Sequence, residues 1–319
     1  GKDDGSLEDL NRVFGQSLLG YGDHHLMGNI SGNQDRTRFI TYADGTVGFS
    51  EDAKLAGWTR DITRGDTIGF NRLGILHAFN FFAPGIPVIY YGDEYGMIGA
   101  GDPDNRRMMK FGNDLTEREQ AMLEKTTTVA NLRKGNMALL YGDSEVLSFS
   151  EKEMVVLRNY FDHTAILLIN SSREEKIATV DIPVHYNLDD LKANFGTEIS
   201  IDGRSLTVVL PPVSFDILTQ YTMKHSFLIL GLAVGLFACQ EAPKAEESGG
   251  ADAPMTHDDW SKNATIYEVN VRQYTPEGTL NAFAEDLPRI KEMGIDILWL
   301  MPIYPIGELN RKGGSGSYY

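Results

Sequence analysis

Side chains able to bind a ligand or stabilise charge are concentrated in two short polar stretches, residues 33–35 and residues 102–106. Each stretch follows an apolar run. A fixed carboxylate such as Asp35 favours positive charge that develops beside it. An aspartate and an arginine such as Asp102 and Arg106 can bracket adjacent hydroxyl groups of a ligand. The alternatives are a polar turn for Asp35 and a surface ion pair for Asp102 and Arg106.

The apolar runs before these stretches are predicted strands. Residues 25–30 and 86–91 are short strand-like runs, whereas residues 67–82 and 117–133 have the length and composition of helices, as do residues 7–19. Strands that alternate with helices are typical of a parallel α/β sheet. The first part of the chain is therefore predicted to be α/β.

Residues 135–219 have a different pattern, in which short β runs are separated by turns. This spacing predicts a small antiparallel β-sandwich. The predicted strands are Val146–Ser150, Met154–Asn159, Ala165–Asn170, Lys176–Asp181 and Ser205–Leu210. The α/β pattern resumes later, with predicted strands at 265–271 and 294–302 and one helix at 280–293.

Residues 223–239 have the pattern of a secretory signal in the interior of the chain. Lys224 is followed by an apolar run that ends at Cys239, the only cysteine. The run is about a dozen residues long, and a membrane-spanning helix needs ~20. Residues 240–255 are rich in Pro, Gly, Ala and Glu, as in a flexible tether. We expect a lipoprotein signal with lipidation at Cys239; the alternative is a buried apolar helix.

Composition excludes several classes of partner. The 319 residues carry a formal net charge of −16, which argues against binding to nucleic acid or to anionic lipid. One cysteine excludes an intramolecular disulfide, and no spacing typical of a zinc site is present. We therefore expect no metal site and identify no cofactor, and we expect membrane association only through the lipid anchor.

Four strings and the β-rich segment resemble parts of one enzyme family. Residues 85–94, Gly-Ile-Pro-Val-Ile-Tyr-Tyr-Gly-Asp-Glu, resemble strand eight of the catalytic barrel in glycoside hydrolase family 13, the α-amylase family. Residues 32–35 resemble the motif that ends strand seven. Residues 266–269 resemble strand one and residues 294–303 resemble strand two. Residues 135–219 resemble the C-terminal sandwich domain of these enzymes.

This resemblance implies a partial TIM barrel whose strands stand in an unusual order. The chain has strands seven and eight, the sandwich, the signal, and then strands one and two, whereas strands three to six are absent. The four strands can lie side by side in the order seven, eight, one, two. In the family the nucleophilic Asp ends strand four and the acid Glu ends strand five, so the chain is expected to lack both. We interpret it as fragments joined in permuted order.

The resemblance also assigns roles to the polar stretches. Asp35 matches the carboxylate that holds substrate hydroxyls and stabilises the charged transition state at the carboxyl end of strand seven. Asn33 belongs to the same substrate-binding motif. Gln34 replaces the usual histidine and can donate a hydrogen bond but cannot carry charge. Asp102 and Arg106 match residues that bind a sugar in the donor subsites.

Two further residues have predicted roles, one in the site and one in the structure. Tyr319 matches a tyrosine that stacks on the sugar. Glu94 is predicted to be a structural carboxylate at the end of its strand. The resemblance also implies that structural calcium is possible in a full-length protein, where most of the calcium-binding loops belong to the missing region.

The resulting prediction is an α-amylase-family glycoside hydrolase that cleaves α-glucosidic bonds in starch-like glucans or maltooligosaccharides by a retaining double displacement. The alternative is a non-catalytic glucan-binding or interaction protein built on the same barrel. The predicted location is the bacterial cell envelope, after export and lipid anchoring. The predicted segments are barrel strands seven and eight at 1–134, the sandwich at 135–222, the signal at 223–239, the tether at 240–259, and barrel strands one and two at 260–319.

Overall fold

The computed structural model describes residues 5–220, 258–304 and 309. The predicted signal with Cys239, most of the predicted tether, and Tyr319 lie outside the described residues. The strands are β1 (Gly28–Ile30), β2 (Ile86–Tyr90), β3 (Asp143–Phe149), β4 (Glu153–Tyr160), β5 (His163–Asn170), β6 (Lys176–Asp181), β7 (Leu191–Ala193), β8 (Glu198–Asp202), β9 (Ser205–Leu210), β10 (Ser214–Gln220), β11 (Ile266–Val269) and β12 (Ile297–Leu300). The helices are α1 (Leu7–Tyr21), α2 (Phe39–Ala43), α3 (Ala53–Thr59), α4 (Ile68–Phe82), α5 (Glu117–Gly135), α6 (Met137–Tyr141), α7 (Val271–Tyr274), α8 (Leu280–Ala284) and α9 (Leu287–Glu292).

Strands from the two ends of the chain form one parallel sheet. Its order is β1-β2-β11-β12, so that β2 and β11 are the inner strands. Ile266 lies opposite Val88 and Glu268 lies opposite Tyr90. The strands predicted as seven, eight, one and two are therefore neighbours in the predicted order. Among the described residues, β1 and β12 form the edges of this sheet.

Helices α4 and α5 pack against this sheet. Phe81 from α4 and Val129 from α5 lie in one hydrophobic cluster with Ile89 and Tyr267 from the inner strands. Both helices were predicted to within two residues at either end. α5 begins sharply because Thr116 accepts a hydrogen bond from the Glu119 N–H and Glu119 accepts one from the Thr116 N–H.

The segment after α6 forms two antiparallel sheets. One has five strands in the order β3-β4-β5-β10-β7, and the other has three in the order β6-β9-β8. Both faces of the five-stranded sheet are buried. Leu167 and Phe215 lie in the cluster that contains α4, whereas Ile166 and Leu218 lie in a second cluster with the three-stranded sheet. All five predicted β runs are strands in this segment.

Three strands of this segment were missed in the sequence: β7, β8 and β10. The omission of β10 matters most, because it pairs with both β5 and β7. The apolar pattern of β10 is interrupted by Asp216, which is fully buried. The Asp216 carboxylate accepts hydrogen bonds from the backbone N–H groups of Asn194, Phe195 and Thr197. These partners allow a charged residue inside a buried strand.

The single helix predicted at 280–293 is wrong. The structure has two short helices there, α8 and α9, separated by Glu285 and Asp286. Pro288 lies in the first turn of α9. Proline has no N–H to donate to the carbonyl one turn earlier, and its ring clashes with that carbonyl, so a continuous helix is interrupted.

A buried arginine connects the β-rich segment to the helices. Arg158 on β4 is 1% exposed, and its guanidinium donates hydrogen bonds to the carbonyls of Phe82 at 2.9 Å, Leu139 at 2.7 Å and Gly142 at 2.6 Å. These carbonyls lie at the carboxyl ends of α4 and α6 or just beyond. Helix ends of this kind carry unsatisfied acceptors and partial negative charge. Arg158 therefore satisfies two helix ends at once.

Candidate active site

The loop after β1 presents Asp35 to solvent. The side chain of Asn33 accepts a hydrogen bond from the Asp35 N–H at 3.0 Å, which closes a turn. The Asp35 side chain is 69% exposed. A side chain at Gly32 would collide with the Asp93 carboxylate, so glycine is needed where this loop passes the loop after β2.

Arg106 brings the two predicted polar stretches together. Its Nη2 lies 2.8 Å from Asp102 Oδ1 and 3.7 Å from Asp35 Oδ1. Its Nε donates a hydrogen bond to the Gln34 carbonyl at 3.2 Å. Asn33, Gln34, Asp35, Asp102 and Arg106 therefore form one cluster beyond the carboxyl ends of β1 and β2. Of the residues predicted for substrate binding, only Tyr319 lies outside the described residues.

Asn105 connects the loop after β2 to the loop after β1. Its side chain is completely buried, and Nδ2 donates hydrogen bonds to the carbonyls of Gln34 at 2.7 Å and Arg36 at 2.8 Å. Asn105 lies within the polar stretch 102–106, but the sequence predicts no role for it. Lys54 was also missed, and its Nζ lies 3.6 Å from Asp102 Oδ2. No pattern around Lys54 indicated that contact, because α3 approaches the loop only in the folded chain.

A buried ion pair lies beneath this cluster. Arg38 is completely buried, and Nη1 donates hydrogen bonds to Asp93 at 2.8 Å and to the Tyr91 carbonyl at 2.7 Å. Its guanidinium also lies over the Tyr90 ring, 4.0 Å from the centroid. Burial raises the pKa of Asp93 above its ordinary value, although Arg38 opposes that shift. Arg38 thereby links the helical segment after β1 to the end of β2.

Glu268 is a second buried carboxyl near the site. It lies on β11 opposite Tyr90 and is 1% exposed. Burial raises its pKa to about 7, with Asp93 and Asp35 adding to the shift and Arg38 opposing it. Glu268 Oε2 and the Tyr90 hydroxyl are buried and find no hydrogen-bond partner among the described residues. Sequence reasoning missed Glu268, since a glutamate inside a short strand gives no signal of its own.

The raised pKa predicts how Glu268 affects stability. Below the ordinary value of about 4.5 the carboxyl is protonated in both states. Between about pH 4.5 and about pH 7 the unfolded chain loses this proton while the folded chain keeps it, so the free energy of unfolding falls as pH rises. Glu268→Gln cannot ionise. We expect the free energy of unfolding of this variant, relative to that of the parent, to rise by about 3 kcal/mol between these pH values.

Urea unfolding of both proteins at several pH values measures this gain. The control is Gln16→Ala, which changes an exposed side chain of α1 and removes no titratable group, so its difference from the parent should not vary with pH. A constant difference between Glu268→Gln and the parent across the range would contradict the assignment.

Glu94 lies away from the cluster and inside the core. The Tyr267 hydroxyl donates a hydrogen bond to Glu94 Oε1 at 2.8 Å, and Arg289 Nη2 lies 3.6 Å from the same oxygen. Burial raises the pKa of Glu94, whereas Arg289 opposes the rise. This position agrees with a structural role.

The described residues contain neither a metal-binding group of side chains nor a membrane-spanning helix. Across 5–220 and 258–304, no group of three or more His, Cys, Asp or Glu side chains is placed to bind a metal ion. In this part of the chain no helix combines the length and the apolar character needed to cross a bilayer. Structural calcium remains an expectation for a longer protein.

Comparison with known proteins gives a consistent set of relatives, although no family model matches the chain. A cyclomaltodextrinase of Thermoanaerobacter pseudethanolicus is 26% identical over 174 residues, covering 54% of this chain and 26% of that protein. An amylopullulanase of Thermoanaerobacter thermohydrosulfuricus is 27% identical over 158 residues, covering 47% of this chain and 10% of that protein. The chain thus matches about a quarter or less of the length of these relatives.

Solved structures show the same similarity. The α-amylase of Geobacillus thermoleovorans, complexed with acarbose, has a TM-score of 0.53 and 25% identity, over 68% of this chain and 44% of that one. An Anoxybacillus α-amylase has a TM-score of 0.52 and 26% identity, over 70% of this chain and 44% of that one. The relatives and structural neighbours of this chain are therefore enzymes of the α-amylase family.

Proposed function

We propose that this chain contains the sugar-binding part of an α-amylase-family glycoside hydrolase that acts on starch-like glucans by a retaining double displacement. The observation that carries this proposal is the cluster of Asp35, Asp102 and Arg106 beyond the carboxyl ends of β1 and β2. In barrel enzymes the substrate binds at this end of the strands. In this proposal β1, β2, β11 and β12 are strands seven, eight, one and two of the barrel.

The cluster has the chemistry to hold a sugar. Asp102 and Arg106 are paired and partly exposed, so their remaining donors and acceptors can bind neighbouring hydroxyl groups. Asp35 is more exposed and lies at the edge of the pair. A carboxylate fixed there favours the oxocarbenium-like charge that forms on the sugar during cleavage.

The same cluster does not provide a catalytic pair. A retaining glycosidase needs two carboxyl groups about 5–5.5 Å apart with the scissile bond between them. Here Arg106 contacts both Asp35 and Asp102, so a guanidinium lies between these two carboxylates. This arrangement also suits the second candidate, a non-catalytic glucan-binding protein. The amino-acid sequence of barrel strands three to six would distinguish the hydrolase from the binding protein. In the hydrolase, strand four ends in a nucleophilic Asp and strand five in an acid Glu.

Maltoheptaose binding tests the proposal. We expect titration calorimetry to detect binding to the 319-residue chain, and we expect Arg106→Met to weaken it by about tenfold because the sugar loses a charged donor. Arg12→Met is the matched control, since Arg12 is an exposed arginine paired with Asp9 on α1. Equal affinity in the Arg106→Met and Arg12→Met variants would contradict a sugar site at this cluster.

We also propose that a product starting at Met223 is exported and lipidated at Cys239. The support is the sequence pattern: a lysine, an apolar run, one cysteine and a polar tether. Labelling cells with a palmitate analogue should mark that product, and Cys239→Ser should abolish the label. An unlabelled, soluble product that retains residues 223–238 would contradict the anchor.

A further inference from the structure

A second cavity lies on the flank of the parallel sheet, and Asp35, Asp102 and Arg106 do not line it. Its volume is about 650 Å³, which is within the range of small-molecule sites. The start of α5 forms one side. The segments that follow β2, near Met97 and Met108, form another side.

The charge of this cavity is opposite to that of the chain. The sequence has 29 Lys and Arg against 45 Asp and Glu. The cavity has four cationic side chains and two acidic ones. They are Arg64, Arg107, Lys110, Arg118, Glu117 and Glu119. Arg107 is already paired with Asp104 at 2.8 Å, and the other three cations still outnumber Glu117 and Glu119 by one. A local excess of cations in an acidic protein favours an anionic ligand.

The buried acid in the cavity is already neutralised. Glu119 is 2% exposed, and its carboxylate is 3.1 Å from both Arg64 Nη2 and Lys110 Nζ. It also accepts a hydrogen bond from the Thr116 N–H at 2.9 Å. Arg64 Nη1, by contrast, is buried and finds no partner among the described residues. Glu119 therefore neutralises one of the two positive charges of Arg64 and Lys110, and the other remains for an anionic ligand.

The cavity also has an apolar wall. Phe70 and Met97 are buried in it, and Met108 is 44% exposed. The Arg64 guanidinium lies over the Phe70 ring, 4.4 Å from the centroid. Methionine side chains adapt to flat apolar groups and contact aromatic rings favourably. A ligand with an apolar or aromatic body therefore fits the wall while its charged group faces the cations.

We propose that this cavity binds a small organic phosphate with an aromatic or other apolar group. The phosphate lies against Arg64, Lys110 and Arg118, and the apolar group lies against Met97 and Met108. A phosphate suits a cavity lined by three such cations because it has several acceptor oxygens. This site is separate from the cluster formed by Asn33, Gln34, Asp35, Asp102 and Arg106, which we call the sugar cluster. It does not depend on the proposed function.

The test uses 4-nitrophenyl phosphate, inorganic phosphate and 4-nitrophenol as probes for titration calorimetry. We expect the aryl phosphate to bind the 319-residue chain at least about tenfold more tightly than either of the other two. The Lys110 side chain is 46% exposed and Arg118 is also exposed, so Lys110→Gln and Arg118→Gln should leave the fold intact. Each should weaken aryl phosphate binding by about fivefold or more.

Two controls locate the site. Met108→Ala should weaken binding of the aryl phosphate but not of inorganic phosphate. Arg106→Met and Arg12→Gln should leave the affinities for the aryl phosphate and for inorganic phosphate unchanged. That result would show that the cavity and the sugar cluster are separate sites. The proposal is overturned if the aryl phosphate binds no more tightly than inorganic phosphate, or if Arg118→Gln and Lys110→Gln bind it like the parent.

Discussion

The 319-residue chain should show no hydrolysis of starch, maltooligosaccharides or activated aryl glucosides above background. In the proposed function Asp35, Asp102 and Arg106 position a sugar, but positioning does not replace a nucleophile and a general acid. Steady-state assays with reducing-sugar and chromogenic detection measure this directly. Turnover by this chain that is lost in Asp35→Asn would contradict our account of where the catalytic carboxylates lie.

In a longer protein that includes strands three to six, Asp35→Asn should lower kcat by about a thousandfold. KM should change much less, because the interaction of Asp35 strengthens as positive charge develops in the transition state. The matched variant is Asp102→Asn, which alters a carboxylate already paired with Arg106. It should raise KM more than it lowers kcat. Equal kinetic effects of the two variants would argue against different roles for these carboxylates.

Arg158→Met should lower the free energy of unfolding by about 3 kcal/mol. Methionine has a similar length but donates no hydrogen bond, so the carbonyls of Phe82, Leu139 and Gly142 lose a buried donor. Each buried group left without a partner costs about 1–3 kcal/mol. Both the helical layer and the β-rich segment lose a contact, since Arg158 lies between them.

Urea unfolding monitored by circular dichroism measures this loss. Arg12→Met is the control, because it makes the same chemical change on an exposed helix surface, where little effect is expected. A shift in the urea midpoint no larger than that of the control would show that Arg158 does not stabilise these helix ends.

Local patterns in the sequence were enough to predict most elements. β2 and α5 could be located because a short apolar run and a long helix-forming stretch stand out from their neighbours in the sequence; the structure adds that the Thr116–Glu119 pair caps α5. The missed strand β10 and the interrupted helix at 280–293 have identifiable causes. Asp216 interrupts an apolar pattern and obtains its partners from another segment of the chain, whereas Pro288 interrupts a stretch whose pattern predicts one continuous helix.

The sequence by itself determined which residues are candidates for the sugar cluster, and the tertiary structure decided how they meet. Arg38 reaches Asp93 across 55 positions, and Asn105 reaches Gln34 across 71. These contacts depend on the parallel pairing of β1 with β2, which places the loops after both strands at one edge of the sheet. Periodicity reports only neighbours within a few residues along the chain, so it contains no information on such contacts. The burial that raises the pKa of Glu268 likewise exists only once β11 has joined β2.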